Sequence, residues 1–448
     1  MEKDMTHGSP AKVLLSFTIP VLLGGIFQQF YSMADTIIVG QILGTKALAA
    51  VGSTGTLSFL IIVSLLGMTT GFTVPTAQRF GAEDMDGMRK SFAMSGLLCT
   101  VISVFITTVS MLGMKMLLTL MNTPEDIFRD AYTYIMIICA GITAQILYTL
   151  LSATLRALGN SKTPLYFLIF AAALNIVLDL LLIVVFHMGV AGAAYATVFS
   201  QGVSGVLCLV YIMRKVPVLR LKRSDWKIDW KMIASQLHIG LPMAFHFSIT
   251  AIGTVLVQSA LNTLGSTMIA AFTAGNKIWS IMTQGIDALE TTIAVYTAQN
   301  VGAKKIQRVR QGFRASTWMM FIYCIVIAII SSTIGKYLTV FFLSGDLTEI
   351  IPAVDIFLKC SGILSMFLAI ACVYRSGLQG MGYGFLPLMA GVCELIGRGV
   401  TAWIAARQHS FFGICMAGPM AWFLASILLI SAYFYILRSL EKKQNQVS

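Results

Sequence analysis

Long apolar stretches follow one another along nearly the whole chain, separated by short polar breaks. At about 20 residues per bilayer crossing, the pattern predicts twelve spans. In the first half they fall near 14–38, 47–73, 91–115, 131–155, 164–187 and 189–213. In the second half they fall near 233–261, 267–296, 312–337, 351–378, 385–406 and 411–437. The stretches are continuously apolar, whereas the strands of a membrane barrel would alternate. The expected fold class is therefore an all-α membrane protein.

The first span, within LLSFTIPVLLGGIFQQFYSMADTIIVG (residues 14–40), breaks the pattern twice. Pro20 removes a backbone hydrogen bond and supplies a bend point. Asp35 places a carboxyl group among apolar residues, which is expensive and marks a functional position. Gln28, Tyr31 and Asp35 are spaced i, i+3, i+7, so they share one helix face. A bendable helix with a polar stripe ending in an ionisable group suggests movement on binding a proton or ion.

The second half repeats the first. QRFGAEDMDGMRKSF (78–92) aligns with QNVGAKKIQRVRQGF (299–313) at an offset of 221, Pro20 matches Pro242 at 222, and Leu155, Gly159 and Pro164 match Leu378, Gly382 and Pro387 at 223. Such duplications place substrate sites between halves near mid-membrane. The expected organisation is two pseudo-symmetric six-helix lobes, 1–213 and 232–448, joined by a basic linker, 214–231. The positions of Asp35 and Asp179 are occupied by Leu256 and Ala402 in the second half, so any coupling site they form belongs to the first lobe.

Composition agrees: 57% of residues are hydrophobic and 11% charged, and the net charge is +12. The positive charge is not a nucleic-acid footprint, because no compact basic domain carries it. It concentrates in alternate loops, with Arg79, Arg89 and Lys90 in one, Arg214 to Lys231 in another, Lys304 to Arg314 in a third, and Arg438 and Lys442 in the tail. The positive-inside rule then puts both termini in the cytoplasm. The first span lacks the features of a cleavable signal peptide. Eight cysteines are scattered without a CxxC pair and read as packing residues, not as a disulfide or metal framework.

Taken together, FTIPVLLGGIFQQFYSMADTIIVGQILGTKALAAVG, the QRFGAED and QNVGAKK loops, and RALGNSKTP resemble the multidrug and toxic compound extrusion (MATE) family over essentially all twelve spans. The chain looks most like the family's prokaryotic DinF-type branch. The resemblance implies a MATE-like fold, a bending proline and aspartate in the first helix, and an Asn–x–x–x–Asp pair in the fifth. Pro20, Asp35, Asn175 and Asp179 stand at those places. Thr197 matches the threonine of the same polar cluster, and Tyr134 is a further match in span four. The glutamate that the NorM-type branch carries in helix seven is missing, since that neighbourhood reads AFHFSIT.

Asn175 and Asp179 are i, i+4 and face one partner helix. Two acids sharing a dry pocket favour the protonated, neutral form of one of them. Sodium held by oxygens of Asp35, Asn175, Asp179 and Thr197 is the alternative to a proton. In the second lobe, Glu394 and Arg398 are spaced for an intrahelical ion pair, or Glu394 faces a cationic substrate. Asp287 and Glu290 form an acidic patch that either attracts a cation or pairs with Lys277 or Arg398. Gln28 and Tyr31 complete the substrate-cavity candidates. Twenty-five methionines suit a deformable cavity.

The expected activity is secondary active efflux of amphipathic, cationic compounds in exchange for H+ or Na+, by a monomer in the prokaryotic cytoplasmic membrane. No cofactor or resident metal is expected. A flippase for lipid-linked saccharide or cell-wall precursors is the alternative on the same fold. Such flippases need an arginine-lined cavity, and Arg398 is expected to be the one arginine deep within a span. An enzyme is not expected, since HExxH, GxSxG and GxxxxGK[ST] motifs are absent from the sequence.

Overall fold

The structure, a computed structural model, describes residues 4–121, 123–341 and 348–445. In hydrocarbon every backbone N–H and C=O must be paired internally, and a helix does this within one segment. The described chain accordingly folds into helices: α1 (Pro10–Ile38), α2 (Thr45–Gly81), α3 (Met85–Leu120), α4 (Glu125–Ala140), α5 (Ile142–Ala157), α6 (Lys162–Asp179), α7 (Val190–Lys215) and α8 (Trp230–Asn262). They are followed by α9 (Ser266–Met282), α10 (Gln284–Gly302), α11 (Ile306–Thr333), α12 (Ile350–Ile363), α13 (Ser365–Gly380), α14 (Phe385–Arg407), α15 (Phe411–Cys415) and α16 (Ala417–Asn445).

Among the described residues, nine helices are long and apolar enough to cross a membrane, and eleven spans result when two bent pairs each count as one. Those pairs are α4 with α5 and α12 with α13, each bent by 46°. The expected eighth span, 267–296, is built from α9 and α10, which meet at Thr283 and fall outside that set. Polar side chains along α10, including Gln284, Asp287, Glu290, Gln299 and Asn300, account for its lower apolarity.

The backbone carries the duplication as clearly as the sequence does. Positive φ angles recur in register: Gly44 and Gly265 at 85° and 89°, Gly159 and Gly382 at 80° and 97°. Two pairs are not glycine: Glu83 and Lys304 at 59° and 57°, and His187 and His409 at 52° and 49°. Left-handed backbone costs a non-glycine residue about 1–2 kcal/mol, so matching strain in both halves is evidence of a common ancestral turn. One feature is not repeated. α1 and α6 each continue into a π-helical segment, Val39–Leu43 and Leu180–Val185, and their counterparts α8 and α14 do not.

The chain packs into two compact units. One is built on Leu23–Ala244, the other on Met5–Leu22 and the described residues from Phe245 onward. The two changes of unit fall inside α1 and α8, not in the 214–231 segment where the sequence places the lobe boundary. Apolar packing accounts for this. Val13, Leu14 and Phe17 of α1 are buried in a core with Ala274, Ile278, Ile293 and Tyr296, and Met232 and Ile233 of α8 are buried with Leu65 and Phe72. Pro20 and Pro242 stand at equivalent places, just ahead of each change.

Within the first unit, α2 and α8 approach at a glycine pair. A methyl on Gly71 would stand 2.5 Å from the Gly240 Cα, and one on Gly240 would stand 2.5 Å from the Phe72 ring. Overpacking of this kind costs roughly 1–3 kcal/mol. Gly71→Val and Gly240→Val are therefore expected to lower the unfolding free energy in detergent by that amount. Gly55→Ala on the same α2, where nothing lies within 4 Å, should instead be neutral or stabilising. Thermal unfolding of the three variants checks this.

Candidate functional site

In the first unit, four helices bring a polar cluster together. α1 supplies Tyr31 and Asp35, α4 supplies Tyr134, α6 supplies Asn175 and Asp179, and α7 supplies Thr197. Asp35 lies one turn before the π segment of α1, and Asp179 is the last α-helical residue before that of α6. π segments shift the phase of the following side chains and are frequent at functional sites. An apolar cluster that includes Val39, Ile183 and Val190 packs around Tyr134.

Asn175 and Asp179 are fully buried, Tyr134 is 9% exposed, and Asp35, Tyr31 and Thr197 are half-buried. The Asn175 amide, oriented by its neighbours, donates to Asp179 Oδ2 at 2.9 Å and accepts from the Thr197 backbone N–H at 3.2 Å. Tyr31 donates from its hydroxyl to Thr197 Oγ1 at 3.4 Å. The Asp35 and Asp179 carboxyls lie close to one another. Each still has a buried oxygen, Asp35 Oδ1 and Asp179 Oδ1, without a hydrogen-bond partner. Tyr134 is near Asp35, Tyr31 and Asp179. Gln28 is exposed on α1 and is not part of the cluster.

The second unit holds a different polar cluster. Arg375 of α13 donates from Nη1 to Glu394 Oε1 at 3.0 Å, and its Nε lies 3.5 Å from Glu290 Oε1. Glu290 also accepts from Ser376 Oγ at 2.8 Å. Arg398 is held loosely, 3.9 Å from Glu394 and 3.4 Å from the Thr250 carbonyl. Asp287 is exposed one turn from Glu290. At the offset of 223 that relates Gly159 to Gly382, Arg398 stands where Asn175 does. The two clusters occupy related places in the repeat with opposite chemistry.

Two expectations change. Glu394 takes its short contact from Arg375 on another helix, and the expected pair with Arg398 on its own helix is the weaker one. Arg398 is also not the one arginine deep within a span, because Arg375 is 7% exposed. No acid lies three or four residues from Arg375 on α13, so its partners were invisible to helix spacing. The one sequence signal was an arginine inside an apolar run.

Many apolar helices in a duplicated chain, with unpartnered acid oxygens buried in the polar cluster of the first unit, define a membrane transporter. Family comparison makes this specific: the MatE family model matches residues 20–181 and 242–404, once in each half. The chain belongs to the MATE family of prokaryotic transporters, and it is a multi-pass protein of the cytoplasmic membrane. It is 32% identical over 342 residues to the probable multidrug resistance protein YpnP of Bacillus subtilis, a match covering 76% of each chain. It is 28% identical over 326 residues to the FAD transporter of Shewanella oneidensis, covering 70% of each. In fold it matches a solved multidrug resistance MATE family transporter of the MOP superfamily in an outward-facing conformation. That match has a TM-score of 0.92 and 21% identity, and covers 98% of both chains.

Removing one member of a buried charge pair strands the other, at about 3–5 kcal/mol. Arg375→Ala is expected to destabilise the protein by that amount, and Arg398→Ala, which loses only long contacts, by about 1–2 kcal/mol. Asn175→Ala should cost roughly 1–3 kcal/mol, because Asp179 Oδ2 loses its donor. Unfolding midpoints in detergent rank the three.

Proposed function

We propose that this protein is a secondary active multidrug antiporter that exports amphipathic cations in exchange for protons. The single observation that carries the coupling site is the pair of facing carboxyl groups, Asp35 and Asp179, with a buried unpartnered oxygen on each. Protonation makes the acids neutral and removes the repulsion between two neighbouring carboxylates. Tyr31, Tyr134, Asn175 and Thr197 set the geometry of that change, and Pro20 is where α1 bends in response.

The donor set favours a proton over sodium. Asn175 turns its amide nitrogen towards Asp179 and commits its oxygen to the Thr197 N–H. The oxygens left for a cation are then chiefly those of the two carboxyls, fewer than a hard cation gathers in an oxygen cage. For the cargo, the second-unit cluster sets three carboxyl groups, Asp287, Glu290 and Glu394, against two guanidiniums, Arg375 and Arg398. The excess charge is acidic and lies at its exposed end, where a cation is attracted. Similarity to the probable multidrug resistance protein YpnP supports that cargo. A lipid-linked saccharide or an anionic dinucleotide needs an uncompensated basic cavity, and here each arginine faces a carboxylate.

The test is transport in proteoliposomes. A proton gradient should drive export of a fluorescent cation, and Asp35→Asn and Asp179→Asn should each lower that export on the order of tenfold or more. Export that persists in both variants overturns the coupling site. Transport of FAD or a lipid-linked saccharide with no cation transport overturns the cargo. Pro20→Ala should slow turnover while leaving equilibrium binding of the cation near its original value; equal loss of both would remove the hinge role.

A further inference from the structure

The segment ahead of α1 is held by a set of contacts that the transport chemistry does not use. Met5 is fully buried although it precedes the helix and lies outside the apolar spans. Its N–H donates to Gln299 Oε1 at 2.9 Å, and its carbonyl accepts from Arg308 Nη2 at 3.2 Å and Asn300 Nδ2 at 3.3 Å. Arg308 Nη1 donates to the Gly8 carbonyl at 2.9 Å. Lys305 Nζ reaches the Thr6 carbonyl at 3.0 Å, and Thr6 Oγ1 and His7 Nε2 at 3.1 Å. Arg308 Nε in turn donates to Asn300 Oδ1 at 3.1 Å, so the holders are tied to one another. Further along, Thr18 of α1 donates to Thr292 of α10 at 2.9 Å.

We propose that Met5–Gly8 is a strap fixing the start of α1 to the α10–α11 turn, and that Asn300, Lys305 and Arg308 are positioning residues for transport. Three observations point the same way. α1 is one continuous helix from Pro10 to Ile38, with Pro20 between its strapped start and the Asp35 end. The start belongs to the second unit and Asp35 to the first. A helix fixed at its beginning must pass any displacement of its far end into the bend at Pro20 or into the unit that holds it; a helix free at its beginning would slide and lose that displacement.

The duplication supplies the third observation. At the offset of 221, Asn300, Lys305 and Arg308 correspond to Arg79, Asp84 and Gly87. There Arg79 pairs with Asp84 at 2.8 Å within its own turn, and Asp84 caps α3 by accepting from the Gly87 N–H at 2.9 Å. The strap holders thus depart from the repeat, as Asp35 does. The counterpart helix α8 is anchored by other means in the first unit. Gln236 donates to the Ser91 carbonyl at 2.8 Å and to Ser95 Oγ at 2.9 Å, and Lys90 pairs with Asp229 at 2.8 Å. That lysine, with the Met232 N–H, holds the Asp229 carboxyl below its usual range. Both unit-changing helices are therefore tethered at their starts, each by its own chemistry.

The inference rests on the coupling reading above, and its test separates the two. Asn300→Ala/Arg308→Ala is compared with Arg308→Lys and with Arg310→Ala, which removes an arginine of the same turn region that pairs only loosely with Glu441, at 3.9 Å. Each is assayed for equilibrium binding of the fluorescent cation in detergent and for gradient-driven export in proteoliposomes. The double variant should bind within about twofold of the parent and export on the order of tenfold more slowly. Arg308→Lys should recover part of the export, and Arg310→Ala should match the parent. Export at the parental rate in the double variant overturns the strap, and so does a loss of binding as large as the loss of export. If the double variant does not survive purification, Lys305→Ala, which removes three half-exposed contacts, is read by the same two criteria. With Asp35→Asn run alongside, normal export in that variant sinks the coupling reading, whereas normal export only in the strap variants sinks the strap.

Discussion

The centre of a bilayer offers no water, so each buried polar atom has to find its partner inside the protein. This one constraint separates the two polar clusters. In the second unit, Arg375 answers Glu394 and Glu290, and Ser376 supplies a further donor to Glu290. In the first, Asn175 satisfies part of Asp179, while one oxygen of each aspartate stays without a donor. A satisfied network rigidifies its surroundings, and an incomplete one is responsive to whatever completes it.

Much of the frame was legible before any coordinates. Apolar runs imply helices because a helix alone pairs its own backbone, and residue spacing implies shared faces because the helix repeat is fixed. The same logic recovered Gln28, Tyr31 and Asp35 as one stripe, yet Gln28 proved exposed and outside the cluster, since a shared face does not say where along it the neighbours lie. Arg375 was missed for the complementary reason. Its carboxylate partners come from α10 and α14, and contacts between helices leave no periodic mark in a single sequence. Nor could the unit boundaries be read, because a loop rich in lysine and arginine marks a change in chain direction without saying which core buries the flanking helices.

Duplication followed by selective divergence organises the rest. The turns were kept, down to left-handed backbone at Glu83 and Lys304 and at His187 and His409. The bends of 46° were kept as well. What changed are groups present in one half only: Asp35 and Asp179, the π segments beside them, Arg375 and Arg398, and the residues that hold the start of α1. Shared geometry with divergent chemistry leaves each unit with a polar cluster of its own.

The exchange of helix segments also bears on how the protein is made. Residues of α1 are synthesised well before those of α10, and Thr18 meets its partner Thr292 only 274 positions later. At about 5–20 residues per second, the opening helix waits some tens of seconds, inserted but half unpacked, before the core that receives Val13, Leu14 and Phe17 exists. The apolar face of that segment must therefore rest against lipid during synthesis, and completion of the first helix is among the last events in assembly of the whole chain.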